Sequence, residues 1–160
     1  MAQNTLKLQK YLVSYKVKNA GFNTTGRFDK LSAQVVFDEN ALDKSTISAT
    51  IETNSFNSGM TMRDNHVKNK DYFDVQNYPT MTLVSTKIEK KDKGYLGTFN
   101  LTIKGNTKSV QLPFTVIKNG NNLEFQSLEL NIDRTIYGIG KPHFSLSSTV
   151  RITINATFTN

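Results

Sequence analysis

The densest group of reactive side chains lies in MRDNHVKNKDYFDVQNYPTM, Met62 to Met81, where Arg63, Asp64 and His66 fall within one helical turn's length of chain. A carboxylate close to an imidazole is the pairing that general acid–base catalysis uses, so Asp64 and His66 are candidate proton-transfer groups. The same three residue types on a short helix also form a cap and ion-pair network that fixes the element in place. The other histidine is His143, and no HxH or HExxH spacing occurs. With Cys 0, no metal-ligand set and no thiol nucleophile can be assembled from the spacing, and neither a metal nor another cofactor is expected. No serine sits in a G-x-S-x-G elbow. GIGKPHF, Gly138 to Phe144, contains glycines but follows no Rossmann strand and opens no helix, which argues against a phosphate loop.

The elements that must position these groups are strands. In GTFNLTIKG the apolar residues Phe99, Leu101 and Ile103 alternate with Asn100, Thr102 and Lys104. Val110, Leu112, Phe114 and Val116 share one parity, as do Tyr11, Val13, Tyr15 and Val17, and Ile47, Ala49 and Ile51. The longest such set runs Phe144, Leu146, Val150, Ile152, Ile154, Ala156, Phe158. Side chains on a strand alternate faces, so each segment buries one side and wets the other. Parity slips between Phe125 and Leu128, and again between Phe28 and Leu31, which predicts β-bulges near Gln126–Ser127 and after Phe28. KKDKG, KGNTK and KNGNN are polar and short, and read as hairpin turns, two of them placed at Gly105-Asn106 and Asn119-Gly120. Only residues 61–72 break the period of two, and they tolerate a helix. The pattern predicts an all-β chain: a single antiparallel β-barrel of about eight strands with one short helical insert.

Composition agrees. A chain of 160 residues makes one domain, 1–160, large enough for its own core. Hydrophobic residues are 37% and charged residues 21%, as in a folded globular protein. The net charge is +7, but the lysines are scattered, no arginine-rich arm exists, and aromatics are not interleaved with basic residues, so nucleic acid is not an expected partner. No apolar run approaches the roughly 18 residues of a transmembrane helix. MAQNTLKLQK has no signal-peptide apolar region, while Ala2-Gln3 reads as a mature end left by a signal peptidase. A barrel of this size is either filled by side chains or just wide enough for a small ligand, and alternation alone leaves both open.

Four ordered motifs resemble the YceI family of lipocalin-like polyisoprenoid-binding domains. They are GFNTTGRFDKL; SFNSGMTMRDNHVKNKDYFDVQNYPTMTLVST; GTFNLTIKGNTKSVQLPF; and NIDRTIYGIG, and together they run through nearly the whole chain. The resemblance implies an elongated lipocalin-like barrel, a short helix near one end, and an apolar pore holding a long chain such as a polyisoprenoid, an isoprenoid quinone, a fatty acid or a fatty amide. It implies binding, transport or storage without catalysis, in the periplasm or outside the cell, with a cytoplasmic location as the alternative. A homodimer is also allowed. With inward parity, it gives a continuous tunnel open near the Met62–Phe73 cover. The expected ligand-binding residues are Phe22, Phe28, Met62, Phe73, Phe99, Leu101, Ile103, Phe114, Phe125 and Tyr137. Arg63, Asp64, His66, Asp133 and Arg134 are expected as structural polar anchors. The competing reading is a lipid-modifying enzyme using Asp64 and His66.

Overall fold

The computed structural model describes residues 5–160, so Ala2-Gln3, read above as a mature end, lie outside the described residues. Alternation becomes strand throughout. The strands are β1 (Lys7–Asn19), β2 (Phe22–Phe28), β3 (Leu31–Val36), β4 (Thr46–Glu52), β5 (Phe56–Asn57), β6 (Thr80–Lys91), β7 (Gly94–Ile103), β8 (Asn106–Asn119), β9 (Asn122–Ser127), β10 (Leu130–Asp133) and β11 (Leu146–Thr159). One helix, α1 (Thr61–Val67), stands between β5 and β6, and a 3₁₀ turn (Arg134–Tyr137) follows β10. All pairings are antiparallel, in the order β3-β4-β6-β7-β8-β9-β11-β1-β2-β5, with β10 added beside β11.

This corrects the expected closed barrel of about eight strands. The sheet has eleven strands and does not close. β1 pairs β2 only over Val13–Asn19, and beyond that its side is met by β3 through one isolated bridge, Leu6 to Val35, with Leu6 N–H donating to the Val35 carbonyl at 2.8 Å. The extra strands arise where the chain breaks instead of bulging. β2 ends at Phe28 and β3 begins at Leu31, with no bulge between. β9 and β10 are likewise separate strands. Pro113 accounts for that break. Its carbonyl accepts from Leu128 N–H at 2.9 Å, but proline has no N–H to return, so the β8–β9 ladder stops at Phe114–Ser127. A bulge does occur in β6, between Ser85 and Lys87. The tight turns fall one residue from the expected places, at Lys104-Gly105 and Gly120-Asn121. Lys104 (φ 51°) and Gly105 (φ 75°) are both left-handed, as a two-residue hairpin matching the strand twist requires.

The core divides along the strands. At one end Phe37, Tyr95, Phe114, Phe125 and Phe158 fill the space ring against ring, with neighbouring centroids 5.1–6.0 Å apart. At the other end, under α1, Tyr15, Phe28, Phe56 and Phe73 form a second cluster with centroids 5.2–6.4 Å apart. Phe99, Leu101, Ile103, Leu112 and Phe114 are buried and Asn100 is exposed, as parity requires. No helix among the described residues is long and apolar enough to cross a membrane.

Candidate functional site

The α1 end of the sheet is hollow. A cavity of about 370 Å³ runs from α1 and the residue 138–145 loop inward between β1, β6, β7 and β11. Its walls are Val13, Tyr15 and Val17 of β1, Met81 and Leu83 of β6, Leu101 and Ile103 of β7, and Val150, Ile152 and Ile154 of β11. All come from the alternating apolar parity of their strands. The lining stops at Leu101 and Ile154. Beyond them the five-ring cluster fills the interior, so the cavity is a pocket in half the molecule and not a continuous tunnel.

Polar lining collects at the open end. Asn19, His66 and His143 line the cavity and are exposed, which places its opening between the β1–β2 turn, α1 and the 138–145 loop. Arg63, Arg134 and Ser145 are further polar lining residues there, with Thr24 and Tyr72. Arg63, His66 and Val67 have the i, i+3, i+4 spacing that puts side chains on one face of a helix, and all three line the cavity.

That spacing corrects the expectation for Met62, which lies off this face and is 86% exposed. Phe22 is corrected as well. It begins β2 directly after the Ala20-Gly21 turn, opposite Asn19 at the rim of the sheet, and is 78% exposed. Of the other expected ligand-binding residues, Phe28, Phe73, Leu101 and Ile103 line the cavity. Phe99, Phe114, Phe125 and Tyr137 are buried but do not line it. Phe114 and Phe125 belong to the packed end, and Tyr137 is 1% exposed within its 3₁₀ turn.

The polar groups divide by role. Asp64 accepts from Ser58 N–H at 2.9 Å and from the Ser58 hydroxyl at 2.6 Å, tying α1 to the chain before it. Asp133 accepts from Thr135 N–H at 2.9 Å and from its hydroxyl at 2.6 Å, and these bonds hold its carboxyl below the usual carboxylate range. Arg134 is buried and donates to four carbonyls, those of Ser147, Ile139, Lys141 and Leu146. Arg63, expected as an anchor, has no hydrogen bond or ion pair among the described residues. The Asp64–His66 acid–base pair is not assembled either. His66 Nδ1 lies 3.5 Å from Asn69 Nδ2, its ring packs 5.0 Å from that of Tyr72, and the Asp64 carboxylate faces Ser58. Lys104, on the parity opposite Ile103, donates Nζ to the carbonyls of Lys70 (2.8 Å) and Gly138 (3.0 Å) and ties the cover to the β7–β8 turn.

Sequence reasoning missed Tyr15 and His143 as lining residues. Tyr15 carried a signal in its inward parity, and His143 stood in the glycine-containing segment set aside as a phosphate loop. Tyr15 stands opposite Gly26 in the β1–β2 ladder, where a Cβ would run into the phenol ring. The bare glycine lets the ring lie across β2, and the ring stacks on Phe56 at 5.2 Å. Burial pushes the phenol up to about 12, against a smaller downward pull from the Arg63 guanidinium. The folded chain therefore keeps this proton where the unfolded chain, ionising near 10.0, loses it. The contribution to stability is full below that pH and is lost as pH rises towards about 12. A difference absorbance titration against Tyr15→Phe is expected to show one phenol ionising near 12, and a step near 10 would contradict this.

Comparison with known proteins places the chain. The YceI-like domain model matches residues 5–158. A UPF0312 protein of Yersinia enterocolitica is 30% identical over 115 residues, 71% of this chain and 60% of its own length. One from Vibrio campbellii is 32% identical over 112 residues, 69% and 59% of the two chains. The matched region thus spans about 60% of these relatives. Among solved structures, Burkholderia cenocepacia BcnA superposes with a TM-score of 0.86 at 33% identity, covering 92% of this chain and 95% of its own. A polyisoprenoid-binding domain from Saccharophagus degradans, implicated in plant cell wall breakdown, shares the fold with a TM-score of 0.70 at 16% identity, covering 97% of each chain. With the family model matched across nearly all of its length, this chain belongs to the YceI-like family.

Proposed function

We propose that the protein binds a long-chain apolar molecule, a polyisoprenoid, isoprenoid quinone, fatty acid or fatty amide, and carries or stores it without chemical change. The observation that carries this reading is the unevenness of the interior: one end is packed ring to ring, while the other keeps a cavity of about 370 Å³ walled by aliphatic and aromatic side chains. A folded chain of this size fills its core unless space is kept for something, because voids forfeit packing contacts. Each methylene buried there contributes about 0.8 kcal/mol, so a chain of about ten carbons offsets the cost of association without strong polar contacts. Specificity along such a chain is low, since methylenes are alike. The fold shared with a protein described as polyisoprenoid-binding supports the same reading. Export to the periplasm or beyond the cell belongs to it, and the genomic reading frame around Met1 tests that part.

The test is organic extraction of the purified protein followed by mass spectrometry, beside native mass spectrometry of the intact chain. One apolar molecule per chain is the expected result. Protein of bare mass that also fails to take up an added long-chain probe would end the carrier reading. Turnover of a lipid, lost in His66→Ala, would support the enzyme reading instead.

A further inference from the structure

The walls of the cavity are apolar, yet its open end has a marked charge bias. Arg63, His66, Arg134 and His143 line it, and no aspartate or glutamate does, among the described residues. Two of these groups are committed elsewhere. Arg134 gives its N–H groups to main-chain carbonyls, and His143 Nδ1 faces the Ser145 N–H (3.1 Å) and hydroxyl (2.9 Å). Arg63 is different. It is half-buried, it lines the cavity, and it has neither a hydrogen bond nor an ion pair among the described residues. Asp64, its chain neighbour, has its carboxylate turned to Ser58 and is outside the cavity lining. The Tyr15 hydroxyl also has no hydrogen bond among the described residues, and Tyr15 lines the same cavity as Arg63.

A guanidinium half-withdrawn from water beside apolar walls costs free energy unless an anion meets it. The fork of Arg fits a planar carboxylate or a phosphate with two parallel hydrogen bonds. A neutral phenol nearby adds a donor with no competing charge. We propose that the cavity takes an amphiphile with an anionic head, carboxylate or phosphate, seated against Arg63 with the Tyr15 hydroxyl as second donor. The chain runs inward between Leu101, Ile103, Val150 and Ile152. This rests on the chain-binding reading above and narrows it, because neutral heads are disfavoured at the same chain length.

The experiment compares oleate, oleamide, oleyl phosphate and oleyl alcohol as ligands of the delipidated protein by isothermal titration calorimetry. Oleate is expected to bind about tenfold or more tightly than oleamide, and oleyl phosphate likewise against oleyl alcohol, the scale of one charge-assisted bidentate contact. Whichever anion binds more tightly identifies the head, and either supports the proposal. In R63Q both preferences are expected to shrink to about twofold, while affinity for the neutral pair is retained. Arg63→Lys, with the charge but not the fork, is expected to fall between. Arg63 has no hydrogen bond or ion pair among the described residues to lose, so the melting temperature of R63Q should match that of the unsubstituted protein. Equal affinities within both pairs, oleate with oleamide and oleyl phosphate with oleyl alcohol, in the unsubstituted protein overturn the anionic head and leave the chain reading standing. So does a preference for the anions that survives in R63Q. Failure of all four ligands to bind removes both readings.

Discussion

Arg134→Met is expected to lower the stability of the fold by about 3 kcal/mol, read as a reduced midpoint in urea with an unchanged slope. Arg134 is 4% exposed, and its guanidinium joins two stretches of backbone, 139–141 and 146–147. Nη1 donates to the carbonyls of Ile139 (2.9 Å) and Lys141 (3.1 Å), Nη2 to Leu146 (3.1 Å) and Nε to Ser147 (2.9 Å). Two of these carbonyls, of Ile139 and Lys141, belong to the loop after the 3₁₀ turn and two, of Leu146 and Ser147, to the start of β11; three of the four contacts are partly buried, one fully. Methionine occupies similar space and keeps the packing of the stem, but leaves those acceptors with what water can reach them. Lysine is a poor substitute, since a single ammonium cannot serve carbonyls on both sides of a planar fork. Gly140 belongs to the same arrangement. Its φ is +69°, and a Cβ there would lie 2.8 Å from Arg134 Nη1 and 2.8 Å from Tyr72 Cε1. An Arg134→Met variant within about 0.5 kcal/mol of the parent would show that the loop is held by its other contacts.

Much of this architecture is legible in the sequence, for one physical reason: each strand buries a single face. That condition writes Phe99, Leu101 and Ile103 against Asn100 and Thr102, and it survives whatever the strand pairs with. The hairpins are legible because left-handed turns select glycine and asparagine, although the register moved by one residue at Gly105 and Gly120. Closure is not legible. It depends on whether β1 meets β3 along an edge or at one bridge, Leu6 to Val35, between residues far apart in the chain. The division into a hollow end and a packed end is hidden for a related reason. Leu101 and Phe114 share the inward parity of adjacent strands, and only the arrival of Phe37, Tyr95, Phe125 and Phe158 from elsewhere fills the space around Phe114. On α1 the relevant period is not two. Reading Met62 as inward followed its hydrophobicity, whereas the helix turns Arg63, His66 and Val67 to the cavity.

The same division makes two tryptophan substitutions diverge. Leu101→Trp is expected to abolish most ligand binding, by about a hundredfold in affinity, while the chain stays folded. Leu101 lines the cavity from β7, as Ile152 and Ile154 do from β11, at the point where open space meets the packed rings. A larger ring there can extend into existing space, so the strain that accompanies overpacking has an outlet, but the ring then occupies the path of the ligand chain. Phe114→Trp places the same ring where Tyr95 and Phe125 already lie 5.6 and 6.0 Å away. It is expected to cost about 1–3 kcal/mol of stability and to leave affinity nearly unchanged. Asn100→Gln, on the exposed parity of the same strand as Leu101, should change neither quantity. Urea denaturation and calorimetry with oleate on the three variants separate the effects. Were Leu101→Trp to destabilise the chain as much as Phe114→Trp does, the space beside Leu101 would be unable to accept an added ring. A side chain that cannot be enlarged there leaves no room for a ligand chain either, and the interior would have to be read as one continuous packed core.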